Sequence, residues 1–412
     1  MMFDEKLDGF LASADRKIDA NFYTQYGYKT FGPFLYGFCQ WLVAQLTEKK
    51  MTKVYFLARD GALMKAAFDL LPQTAVIESH YLYSSRRSWI FPVASYAEKI
   101  EDVVPSVFEK RETLEALLRK LGLTDTELTE FSSDELQTRY FETSDLWKNA
   151  VISEKLKHFF PIIRERATKE LQLLKAYLQQ EGLTSADRIA LVDIGWYGRT
   201  QLALEKIVTE ENWQVDISGF YLGVLPFSPL TNASGFLFDR THDASRYSQG
   251  YRSCLKALEA FFMGFEGSTR GFVEKYDGKI IADKEDFSAA DAAIFSKNKQ
   301  IQEGALQFIR DFLADSLSND YKEKNAAFWQ RGIEKSLIKS TPLAVANNIG
   351  DVYFDHGARD IRKLAEPQKL RHYLRQPRAF FVDLSAVVWL SGWLTRLFHL
   401  RAPYYLLLRF LR

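Results

Sequence analysis

Two apolar runs constrain this chain more than any other feature, because each ends in an aspartate with a glycine and a helical stretch close behind. The first is Lys53-Val54-Tyr55-Phe56-Leu57-Ala58-Arg59-Asp60-Gly61, and the second is Arg188-Ile189-Ala190-Leu191-Val192-Asp193-Ile194-Gly195. Runs that are apolar without alternation suit strands covered on both faces, the usual condition of a parallel sheet. Helical patterns over 62–71 and 200–209 follow them, so both read as strand–helix units. Further strands are expected at 75–84 and 217–225. Strands alternating with helices predict an α/β fold with a mainly parallel, Rossmann-like sheet.

The rest of the chain is read around that sheet. Residues 20–50 predict a helical stretch with Phe34, Leu35, Phe38, Trp41, Leu42 and Leu46 on its apolar face. From 97 to 184 the pattern is helical with no strand signal, which predicts an inserted helical cap, and Pro161 is expected to break its long stretch 152–180. Asp277-Gly278 between two apolar segments predicts a hairpin, and 290–345 is helical again. The expected division is therefore 1–96 (N-terminal helices and first part of the core), 97–184 (cap), 185–285 (second part of the core), 286–370 (helical region) and 371–412 (basic aromatic tail). At 412 residues, 47% hydrophobic and 26% charged, the chain is long enough for two or three globular domains.

Charge is unevenly placed. The whole carries +1, yet 371–412 holds seven arginines against one acid, Asp383, leaving the first 370 residues at −5. A general nucleic-acid binder is thereby disfavoured, and a basic tail stands out. Cys39 and Cys254 sit in apolar helical surroundings without disulfide or metal spacing, which fits a reducing cytoplasm. The first 20 residues mix acids and bases without an apolar run, so no signal peptide is expected.

Open α/β sheets bind ligands at the carboxyl ends of their strands. Asp60 and Asp193 stand at two such ends, and on neighbouring strands their carboxylates would converge, a pair suited to Mg²⁺ (or Mn²⁺) bridging a phosphorylated ligand beside helix N-termini. The plainer alternative is that each caps its helix. Gly195-Trp196-Tyr197-Gly198-Arg199-Thr200 reads as a phosphate cradle or as a simple tight turn. Ser85, Arg86 and Arg87 after the second strand form a third rim loop; the arginines suit phosphate, or a salt bridge to the cap. Arg59 and Gly61 adjoin Asp60, and Arg59 either meets phosphate or points away. Glu259, an acid in an apolar helix, is a further candidate or one half of a buried ion pair. His356 and His372 read as structural.

The tail has twelve uncharged residues from 384 to 395, including Trp389 and Trp393, too few for the roughly 20 that span a bilayer. With Arg396, Arg401, Arg409 and Arg412 it is expected to lie in a membrane interface. Packing on the domain, or on a second subunit in a homodimer, is the alternative.

The stretch Phe56-Leu57-Ala58-Arg59-Asp60-Gly61 resembles the opening of haloacid-dehalogenase-like (HAD-like) phosphatases, which use strand-Asp-x-Asp-Gly. There the first Asp attacks phosphorus and the second is the acid/base. Asp60 matches the second; Ala58 stands in place of the first and cannot form an aspartyl-phosphate. With Tyr83-Ser84-Ser85-Arg86-Arg87, Val192-Asp193-Ile194-Gly195-Trp196-Tyr197-Gly198 and the preceding Gly32-Pro33, the chain resembles HAD-like proteins of bacterial capsule and O-antigen biosynthesis over residues 25–275. Some members of that group act as phosphoribosyltransferases in ribofuranose addition. The resemblance implies a metal-dependent, glycosyltransferase-like enzyme that takes a diphosphate-activated sugar donor and a lipid-linked glycan acceptor on the cytoplasmic face of the inner membrane. It assigns site roles to Arg59, Asp60, Arg86, Asp193, Gly195 and Gly198. A phosphatase using activated water and a non-catalytic membrane scaffold remain the rival expectations.

Overall fold

A computed structural model describes the chain apart from residues 1, 15–17, 20, 110–111, 242–244, 246, 248–249, 356–359 and 410–412. His356 and Arg412 fall outside the described residues, as does the Arg409 side chain.

Five parallel strands form the central sheet: β1 (Lys53–Leu57), β2 (Glu78–Leu82), β3 (Arg188–Trp196), β4 (Asp216–Val224) and β5 (Ala233–Gly235), in the spatial order β2-β1-β3-β4-β5. Phe56 lies opposite both Tyr81 of β2 and Val192 of β3. The two-residue period of a strand divides the side chains between two cores. Val54, Phe56, Ala190, Val192, Phe220 and Leu222 face a large aromatic core built with α1 (Gly32–Glu48), α2 (Gly61–Phe68) and the later helices. Tyr55, Leu57, Ile189, Leu191 and Ile217 face the opposite side. Burial on both faces explains why these strands read as unbroken apolar runs.

The second strand is shorter than expected, because Pro72–Val76 forms a 3-10 turn instead. Among the described residues of 97–184 the secondary structure is helical, apart from one short strand pair: Glu112–Thr113 pairs antiparallel with Arg139–Tyr140. The helix α5 (Ala150–Gln180) is continuous through Pro161, contrary to the expected break. An internal proline costs about 3 kcal/mol, and here packing at both ends of a 31-residue helix outweighs it. Ile152, Leu156, Phe159 and Ile163 enter the core of the insertion, while Leu171, Leu174, Tyr177 and Leu178 lie against the sheet. One rigid helix thus ties insertion to sheet, with the short helices α3 (Arg86–Ile90) and α4 (Ile100–Val107) at its side. The expected hairpin is present as β6 (Thr269–Glu274) and β7 (Ile280–Lys284).

The C-terminal segment departs from expectation in an informative way. Its helix Leu390–Phe398 is a core element: Trp389 is fully buried and donates its indole N–H to the Leu337 carbonyl at 2.9 Å, and Trp393 is 3% exposed. Arg396 is accommodated by an ion pair to Asp351 at 3.1 Å and by the Ala365 carbonyl. The uncharged stretch therefore packs on the fold, and its two tryptophans are not surface anchors. Among the described residues no helix is long and apolar enough to cross a membrane.

Candidate functional site

Strand order locates the site. From β1 the chain passes to β2 on one side and later returns to β3 on the other, so the crevice beyond the carboxyl ends of β1 and β3 is where the winding reverses. Ligands in open parallel sheets bind at such a switch point. Asp60 follows β1, and Asp193 belongs to β3 one residue beyond Val192, the partner of Phe56. One carboxylate thus follows β1, the other lies on the adjacent strand, and Asp60 acts electrostatically on Asp193.

Glu259 joins them from the helix α7 (Leu255–Phe262). Its Oε1 accepts the indole N–H of Trp196 at 2.6 Å, and its Oε2 accepts from Lys256 Nζ at 2.8 Å. Burial pushes the Asp60 carboxyl above the ordinary range, and the charge of Glu259 adds to it against Arg59, Lys256 and Arg86. Burial and Asp60 likewise push Asp193 up, opposed mainly by the Ile194 N–H. Asp60 and Asp193 thus disfavour ionisation together, an arrangement that a proton or a cation relieves.

Asp60 and Asp193 keep part of their surface open, and Asp60 makes no capping hydrogen bond to α2. The helix α6 (Arg199–Glu210), which leaves β3, also begins without a side-chain cap. The capping role is therefore not what Asp60 does, and the first N–H groups of α2 directly follow it in the chain. At Ala58, whose peptide bond to Arg59 is cis, the side chain is only a methyl group. Its backbone is held by Leu82 and by the Ser84 hydroxyl, which donates to the Ala58 carbonyl at 3.2 Å.

The glycine loop is a sharply wound turn. Gly195 has φ +90° and Gly198 φ +73°, and a Cβ on Gly195 would sit 2.5 Å from the Tyr221 Cβ. Both positions require glycine for the turn itself, whatever the loop binds. Gly61, by contrast, lies close against the backbone of Phe56. The loop's contribution to chemistry is Trp196, itself in the left-handed region at φ 55° and stacked on Phe238 at 6.0 Å, which aims its N–H at Glu259.

Several expected anion binders are occupied elsewhere. Arg87 makes a bidentate pair with Glu170 at 2.6 and 2.7 Å and lies over the Phe91 ring, clamping the insertion to the sheet edge. Ser85 caps α3 and donates to the Thr269 carbonyl at 2.6 Å. Arg59 points away to Asp355 at 3.1 Å and to the Glu266 carbonyl. Arg199 donates to the carbonyls of Ser106 and Phe108 at the end of α4. Thr200 stands in the first turn of α6, half-buried. Arg86 alone of the predicted rim arginines is largely exposed: it pairs with Glu109 and acts electrostatically on both Asp60 and Asp193. Sequence reasoning missed Lys256 and the role of Trp196; a tryptophan between two glycines at a strand end was the available signal.

A surface depression of about 630 Å³ lined by Asp4, Lys6, Asp320 and Lys324 shares no residue with this cluster. Among the described residues no group of three or more His, Cys, Asp and Glu side chains is arranged to hold a metal ion by itself. No family model matches the sequence, and no similar curated protein is found.

Proposed function

We propose that the chain is a group-transfer enzyme acting on a diphosphate-activated sugar, transferring a phosphoribosyl or related group to a lipid-linked glycan of bacterial surface polysaccharide, as a HAD-like scaffold without an aspartyl nucleophile. The observation that carries the reading is the pair of acids at the switch point: burial and neighbouring negative charge, from Glu259 on Asp60 and from Asp60 on Asp193, hold both carboxyls above their ordinary range. Asp60 and Asp193 would hold Mg²⁺ or Mn²⁺, and a cation bound there would offset charge developing on a departing diphosphate.

The protein's own groups supply the remainder. The exposed guanidinium of Arg86 meets the donor's phosphate oxygens, and the uncapped N-terminus of α6 offers further N–H donors. Trp196 and Lys256 orient Glu259. Ala58 directs the transferred group to an external acceptor, since no side chain there can take it up covalently. A peripheral position at the cytoplasmic membrane face would bring the lipid-linked acceptor within reach.

Calorimetry with Mg²⁺ and phosphoribosyl diphosphate tests donor binding, and pyrophosphate release with a panel of synthetic acceptors tests transfer. Asp60→Asn and Asp193→Asn are each expected to weaken Mg²⁺-dependent donor binding by about 100-fold, an effect of the size found when a buried charged contact is lost. Unchanged binding in both variants, together with no pyrophosphate release from any acceptor, would overturn the proposal.

A further inference from the structure

With Trp389 and Trp393 buried, a different surface of the C-terminal segment is left facing outward. The helix Pro377–Ala386 packs inward through Ala379, Phe380 and Leu384, with Phe380 against Trp393 at 5.6 Å. The opposite helical face carries Arg378, Phe381, Val382 and Ser385, spaced three and four apart. Phe381 and Val382 are each 66% exposed. The short helix just before it, Leu370–Arg375, adds Leu374 at 74% exposure between Arg371 and Arg375.

The charge on this face has one sign. Arg371, Arg375 and Arg378 are exposed and have no acidic partner among the described residues. The single acid of the segment, Asp383, is half-buried and accepts the Tyr373 hydroxyl at 2.7 Å. Burying large apolar side chains among unpaired arginines is unfavourable against a neutral protein surface. It is favourable at an anionic bilayer, where the rings enter the acyl boundary and the guanidinium groups stay among the phosphates. We propose that the face formed by Leu374, Phe381 and Val382 with Arg371, Arg375 and Arg378 docks on an anionic lipid surface. It rests on the membrane-facing part of the reading above and replaces the tryptophans as the anchoring residues.

Flotation of the full-length protein with vesicles tests it, comparing phosphatidylglycerol–phosphatidylcholine mixtures with phosphatidylcholine alone. Binding is expected on the anionic vesicles, weakening as salt rises because the attraction is screened. Each arginine near such a surface contributes about fivefold, so R371E/R375E/R378E should lower binding by about 100-fold or more. F381S/V382S should lower it by about tenfold at constant charge. Both variants change exposed side chains, and retained melting temperatures verify their folding; the salt series on the unaltered protein needs no variant. Equal binding to neutral vesicles, absence of binding to any vesicle, or binding that neither variant lowers would overturn the proposal. So would a lipid-free dimer in sedimentation velocity that F381S/V382S dissociates, since a second copy would then cover the face. Donor binding measured without lipid is expected to be the same in both variants, so failure here and failure of the proposed chemistry are read separately.

Discussion

Replacing Asp193 with asparagine should make the metal-free protein more stable while removing its response to Mg²⁺. Asp60 follows β1, and Asp193 lies on the adjacent strand β3 just beyond the stretch paired with β1; one strand spacing, about 4.8 Å, serves as the scale of their separation. Two unit charges at about that separation and an effective dielectric of about 20 repel by roughly 3 kcal/mol. Both acids keep some contact with solvent, so about 2 kcal/mol is a reasonable gain for Asp193→Asn. In a chain of 412 residues that corresponds to a rise in Tm of about 2 °C. The pH dependence has a definite sign. Burial and mutual repulsion raise both carboxyls in the folded state, so the folded protein binds more protons than the unfolded one once pH exceeds about 4. Stability contributed by these groups is therefore full below that pH and is lost as pH rises through the raised folded-state values. The advantage of Asp193→Asn should vanish in acid and grow toward neutral pH. Scanning calorimetry in chelator-treated buffer measures it. Adding Mg²⁺ at 100 times its dissociation constant should stabilise the unaltered protein by about 2.7 kcal/mol and the variant far less. A lower Tm for the variant in chelator, or an equal Mg²⁺ response in Asp60→Asn/Asp193→Asn and the unaltered protein, would refute the reasoning.

Other substitutions separate clamp from site. Arg87→Ala removes the bidentate pair to Glu170 and the contact with Phe91; it should cost about 2–3 kcal/mol in urea unfolding and leave donor affinity unchanged. Arg86→Ala, at an exposed pair, should leave stability within about 0.5 kcal/mol while weakening calorimetric donor binding about tenfold. Trp196→Phe deletes the N–H that holds Glu259 and should lower Mg²⁺ affinity several-fold; unchanged affinity would remove Glu259 from the site. Gly195→Ala forces a Cβ to within 2.5 Å of Tyr221 at φ +90° and should cost more than about 2 kcal/mol by thermal melting.

What the sequence by itself determined is local and periodic. Unbroken apolar runs at 53–57 and 188–193 specified strands buried on both faces, and the residues after them set Asp60 and Asp193 at carboxyl ends, where an α/β sheet binds ligands. Only the tertiary structure decided that those two strands are neighbours, that Glu259 stands behind them, and that Trp196 and Lys256 hold it. Lys256 and Glu259 are neighbours on one helix, but Trp196 and Glu259 are 63 positions apart, and no periodicity encodes such a partner. The same limit left the reading of the arginines open: Glu170, Asp355 and Glu109 arrive from elsewhere in the chain to pair with Arg87, Arg59 and Arg86, of which only Arg86 stays largely exposed. Pro161 and the tail fail for a related reason, since packing along a 31-residue helix outweighs one proline, and a core with room for Trp389 and Trp393 outweighs the arginines beside them. Local chemistry names the groups that can act; long-range packing decides which of them are left free to do so.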